Sequence, residues 1–198
     1  MKRSHPEIFS SPETKILSPL MKAMRGIKEG NVREALDRET IDPIAGIGIA
    51  RLDKDPVEIN GVKYKFFGAR ILPSTAEEPP YVKPHLHEQR TKDGDHELYL
   101  FYDDIELNLG TVASDPVKGV EYSKPIICKQ GDIINIPANI VHSARNPNKD
   151  RPADFVFCCP EEELQSGKVV DNHLKNTSEG GNRIMYDKFL PKHYPQAQ

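Results

Sequence analysis

His85-Leu86-His87 sets two imidazoles two residues apart, and on an extended strand that spacing puts both rings on one face. Neutral imidazoles held side by side are ligands for a divalent transition metal. Glu88, His96 and Glu97 follow closely and compete to complete the set. If Thr91-Lys92-Asp93-Gly94-Asp95 forms an enlarged hairpin turn, His87 stands opposite Glu97, whose side chain then shares the imidazole face. Glu88 and His96 have the other parity and read as outward or rim residues. By the same alternation Tyr81, Lys83, His85 and His87 share a face, so Lys83 projects into the cavity and its ammonium would hold an anion. The plainer alternative for Lys83 is a place at the barrel mouth, reaching to water. Tyr99, in step with Glu97, either offers its hydroxyl to a substrate or fills the interior as an aromatic.

Strands must position these groups, and the pattern supplies them. From Ser11 to about Glu39 the period is helical, with Ser11-Pro12-Glu13 as a cap and Asn31-Val32-Arg33-Glu34 resembling a capping box. After Asp42-Pro43 the period becomes that of strands: Ile47 to Leu52, Val57 to Ile59, an Asn60-Gly61 turn, then Val62 to Leu72. A loop rich in Ser, Glu and Pro (Ser74 to Pro80) leads to further strands at Tyr81 to Arg90, Glu97 to Tyr102, Ile105 to Leu109, Pro125 to Lys129, Ile133 to Ile136 and Asp154 to Cys159. Short strands at turn-limited spacing predict a mainly β barrel or jelly roll over residues 41–160. A helical arm over 1–40 precedes it, and a tail over 161–198 follows, opening with a helical turn at Pro160 to Leu164 and carrying one ordered piece near Ile184 to Leu190. No internal repeat is present, and His5, His173 and His193 fall in the end regions as surface residues.

The segment from Gly131 through Pro137, Asn139 and His142 to Asn146 resembles the second cupin motif, in which glycine, five residues, proline, a turn, a histidine and then asparagine recur at this spacing. Asn139 stands where the family has glycine, and Asn is the best substitute at a position of positive φ. The resemblance implies a single cupin barrel, a double-stranded β-helix. It also adds His142 to His85, His87 and Glu97 as ligands of one divalent ion: Mn, Fe, Ni, Zn or Cu. The first cupin motif departs from the family pattern: the family glutamate comes sooner after the histidine pair, Pro79 replaces the leading glycine, and Asp104 replaces another. Arg145, at the end of the second motif, reads as a rim or interface residue.

His85-Leu86-His87-Glu88-Gln89-Arg90 with Glu97-Leu98-Tyr99-Leu100-Phe101 also looks like the metal site of cupin-type 5-keto-4-deoxyuronate isomerases. That likeness implies a sugar or sugar-acid isomerase, in which Lys83 would hold the carboxylate or phosphate of a small anionic substrate. Two alternatives share the fold: an iron-dependent dioxygenase, and a module that binds a small ligand without turnover.

Composition narrows the partners. A net charge of -3 and no long run of Lys or Arg exclude the basic field that nucleic acid requires. The start lacks a signal peptide's apolar core, and no stretch is apolar for long enough to span a membrane, so the expectation is a cytoplasmic protein. Cys128, Cys158 and Cys159 are odd in number and lack metal or redox spacing, so they read as buried small hydrophobes. Leu98, Leu100 and Tyr102 point away from the barrel interior and need cover, from the N-terminal helices or from a second subunit in a homodimer.

Overall fold

The computed structural model describes residues 14–41, 46–73, 81–87, 96–112, 120–161 and 183–185. Alternating apolar positions build two six-stranded antiparallel sheets. The first contains β1 (Ile47–Arg51), β2 (Val57–Ile59), β3 (Val62–Ile71), β5 (His96–Phe101), β9 (Ile133–Pro137) and β11 (Ala153–Pro160). Its order is β1-β3-β11-β5-β9, with β2 on β3. The second contains β4 (Tyr81–His87), β6 (Ile105–Val112), β7 (Val120–Tyr122), β8 (Ile126–Cys128), β10 (Val141–Arg145) and β12 (Arg183–Met185), ordered β12-β4-β10-β6-β7 with β8 on β6. From β3 to β6, and again from β8 to β12, each successive strand changes sheet. This is the mainly β barrel that the pattern predicts; the sequence reading missed β7 and β10 as strands, and β12 stands where it expected only an ordered piece.

Two local features follow the sequence closely. Asn60 and Gly61 both have positive φ (50° and 81°), the conformation of the tight turn that joins β2 to β3. Asn139 has φ 65°, as expected of a residue standing in for glycine.

Each face of the first sheet carries a core. Inward, Phe67, Tyr99, Phe101, Phe155 and Phe157 pack with Ile105, Leu107 and Ile136, and the Phe67 and Phe157 rings stack at 5.3 Å. Outward, Tyr64, Phe66, Leu98, Leu100 and Tyr102 pack beneath α1 (Thr14–Arg25) and α2 (Glu29–Asp37), against Leu17, Leu20, Met24, Val32 and Leu36. Of the two candidate covers for that apolar face, the chain's own helices are the one the structure shows. Vicinal Cys158 and Cys159 fall on opposite faces, one in each core, and neither forms a disulfide. Cys158 Sγ lies 3.8 Å from Met24 Sδ, and burial pushes its thiol up to about 12, so it behaves as a hydrophobe.

The predicted capping box at Asn31 to Glu34 is not the start of a helix. α2 begins at Glu29 behind extended Lys28, which leaves Asn31 within the first turn, while Glu34 pairs with Arg38 on the exposed side. Apolar seating overrides the local signal, because starting there lets Val32 and Leu36 reach the sheet. Gly68 on β3 lets α2 approach closely: a Cβ there would lie 2.8 Å from Val32 Cγ1. Gly68→Val is expected to cost about 1–3 kcal/mol by overpacking, read as a lower urea midpoint. An unchanged midpoint would show that α2 is not seated there.

A polar clamp closes the same interface. Asp154, fully buried, accepts from Arg33 Nη1 (2.9 Å), Arg70 Nε (2.7 Å) and Arg70 Nη2 (2.9 Å), while Arg70 also reaches Asp37 (2.6 Å) and Arg33 reaches Asp103 (3.0 Å). Hydrogen bonding to Asp154 leads the rise of the Arg70 pKa, outweighing its desolvation.

Candidate metal centre

Three imidazoles come from the second sheet. His85 and His87 alternate with Leu86 along β4, and β10 sets His142 directly across the ladder from His85. The carboxylate comes from the opposite wall: on β5, Glu97 shares the inward face with Tyr99 and Phe101, while Leu98 and Leu100 point to the helices. All four side chains are buried, and one donor atom from each lies within 4.8 Å of the others.

The expected hairpin is absent. β4 pairs with β10 and β12, whereas β5 pairs with β11 and β9, so His87 does not face Glu97 in a ladder. The two residues meet across the interior because the chain changes sheet between them. Glu97 Oε2 stands 3.0 Å from His87 Nε2 and 3.1 Å from His142 Nε2. Glu88 and Arg90 lie outside the described residues, as do residues 91–95, the side chain of His96 and the loop at 74–80.

The electrostatics favour a cation. His142 Nδ1 donates to the Ile140 carbonyl (3.0 Å), which fixes the proton there and turns the Nε2 lone pair toward Glu97. His142 Nε2 and Glu97 Oε2 are both buried and neither makes a hydrogen bond, although they stand 3.1 Å apart. Donor atoms held about 2.1 Å from one ion lie roughly 3.0–3.4 Å from one another, which matches both contacts of Glu97. Burial raises the Glu97 carboxyl pKa, but protonated His87 and His142 beside it would outweigh burial and hold it well below the usual carboxylate range, the same role that a bound cation would fill. Three nitrogens and one carboxylate oxygen are a donor set that could hold a divalent transition ion.

The alternation that placed Lys83 beside the histidines breaks at a bulge. His85 pairs with His142, but the next pairs are Val82 with Ala144 and Tyr81 with Arg145, leaving two residues of β4 opposite one of β10. Val82 therefore packs into the interior. The signal was Pro84, which has no N–H to give to a central strand and is found there only at irregularities. The Lys83 side chain lies outside the described residues, so its role remains an expectation stripped of its parity argument. Tyr99 is buried among Phe101, Phe155 and Phe157, with its ring edge toward His142 at 6.1 Å between centroids. It fills the barrel and walls the site together. Arg145 pairs with buried Glu106 on the next strand of the outer face (2.7 and 2.8 Å). Asn146 ties down the turn beyond β10 through the Ile71 and Arg151 carbonyls, 3.1 and 2.8 Å away.

Two facing antiparallel sheets whose strands alternate along the chain form a barrel of the cupin fold, and three histidines from one sheet and a glutamate from the other meet inside it, where they could hold a metal ion. No protein-family model matches the sequence, and no curated protein does. Among solved structures, a protein from Thermus thermophilus aligns at 16% identity over 68% of this chain and 96% of its own, with a TM-score of 0.43. An oxalate oxidase aligns at 18% identity over 63% of this chain and 56% of its own (TM-score 0.41), and KdgF from Halomonas sp. at 15% over 62% and 84% (TM-score 0.38). No helix among the described residues is long and apolar enough to cross a membrane.

Proposed function

We propose that His85, His87, Glu97 and His142 hold one divalent transition metal, from among Mn, Fe, Ni, Zn and Cu, and that the protein uses it on a small anionic molecule, a sugar acid being the best candidate. The observation that carries this reading is the convergence of four buried donor atoms within 4.8 Å. When bound, the metal would act as a Lewis acid toward a carbonyl and its neighbouring hydroxyl, the chemistry that isomerisation needs. His142 is oriented for this through Ile140, and the apolar walls with Tyr99 keep water from the donors. The choice of isomerase rests on the short sequence likeness around His85 to Arg90 and Glu97 to Phe101. A dioxygenase would differ in requiring a redox-active ion.

One observation favours a second reading, binding without turnover. Among the described residues, the inward side chains beside the ligands are apolar apart from Tyr99, and offer no carboxylate or imidazole as a general base.

Protein purified without added metal is expected to carry about one ion per chain by elemental analysis, and His85→Ala with His142→Ala to carry none. Equal metal in the double variant would sink the site. Wild-type protein incubated with sugar acids and followed by proton NMR should interconvert keto and enol-derived isomers without consuming oxygen. Oxygen uptake would select the dioxygenase, and thermal stabilisation without conversion the binding module.

A further inference from the structure

The segment from Ile136 to Ile140, the end of β9 and the turn into β10, touches three of the four donor residues by different means. Upstream, β9 pairs with β5 so that Ile136 stands opposite Glu97 and Pro137 opposite His96. In the turn, the Asn139 N–H donates to the His87 carbonyl at 2.7 Å. One residue on, the Ile140 carbonyl accepts from His142 Nδ1 at 3.0 Å. The turn also passes from the first sheet to the second, so it sets the spacing between the wall that carries the carboxylate and the wall that carries the imidazoles. Its geometry depends on Asn139, whose φ of 65° lies in the left-handed region that β-branched residues strongly disfavour. The Asn139 side chain is exposed, so its backbone conformation is what the site uses.

We infer that Asn139 is a positioning residue for the metal centre: its left-handed backbone holds one turn against the His87 carbonyl and the His142 ring at once, fixing donors from both sheets. The inference rests on the metal reading above. Outer contacts that orient metal ligands typically change affinity 10- to 100-fold, and here a single backbone conformation controls two of them.

Cobalt(II) is the probe, because its visible absorption reports the number and geometry of the donors. Wild type and Asn139→Gly, which accepts positive φ without strain, are expected to bind it within about twofold of each other and with the same spectrum. Asn139→Val is expected to bind about tenfold or more weakly, with an altered spectrum. Thermal melts of the metal-free proteins establish that each variant folds. A second readout needs no metal: nitrogen-15 NMR should find the His142 proton on Nδ1 in wild type and Asn139→Gly and disturbed in Asn139→Val. Equal cobalt affinity and spectra in the Val and Gly variants would overturn the inference. If wild type binds no cobalt, the metal reading falls, and the His142 signal alone decides: Nδ1 protonation unchanged in all three forms overturns the role of the turn.

Discussion

Glu97→Gln is expected to leave the barrel folded and its metal site empty. The amide has the size of the carboxylate and occupies the same buried space between His87 and His142, so the interior packing survives. What disappears is the single negative charge among the four donors, leaving at most a neutral amide oxygen to face the two imidazole nitrogens. Changes to outer contacts of a metal site already cost 10- to 100-fold in affinity, so the loss of a charged ligand should exceed about 100-fold. The linked readout is stability: an ion at 100 times its Kd raises the unfolding free energy by about 2.7 kcal/mol. At roughly 2–4 °C per kcal/mol for a chain of this size, metal should raise the wild-type Tm by about 5–10 °C and that of Glu97→Gln hardly at all. Glu88→Gln, made in parallel, should behave as wild type. A loss in Glu88→Gln that matches or exceeds the loss in Glu97→Gln would assign the acidic ligand to the wrong residue.

Asp154→Asn should show the opposite profile, a large loss of stability with the metal site intact. Asp154 has no exposed surface and accepts from two guanidinium groups, so the amide removes the one buried charge they share and leaves Arg33 with Asp103 and Glu29 and Arg70 with the exposed Asp37. Breaking a buried pair from one side costs about 3–5 kcal/mol. The expected result is a fall of this order in the unfolding free energy, equal in metal-free and metal-loaded protein, because Asp154 lies on the face of β11 that turns toward the helices with Val156 and Cys158. Arg33→Met should cost less, since the Arg33 side chain is 35% exposed and Arg70 still engages the carboxylate. A loss below about 1 kcal/mol in Asp154→Asn would mean that water already shares the carboxylate's charge.

Reading residue types and spacing singled out the four residues that the structure brings together, because each rule involved is local. Period-two alternation puts His85 with His87 and Glu97 with Tyr99, and the glycine, proline and histidine spacing marks the turn that ends in His142. Alternation gives the face a residue occupies but not the strand beside it, which depends on pairings between segments far apart in sequence. That is why Glu97 was placed on the right face through the wrong partner: a hairpin and a change of sheet look alike until β9 and β11 are known to flank β5. At Lys83 an unbroken alternation was assumed across Pro84, a local signal for the register shift that the ladder shows, while the Lys83 side chain lies outside the described residues. The ionic clamp had no signal, since Arg33, Arg70, Asp103 and Asp154 meet only after folding.

The split of the donors between two walls also bears on how an ion would be held. No single strand carries the whole set, so an ion held there would tie the two sheets together, and its affinity would rise and fall with the spacing between the walls.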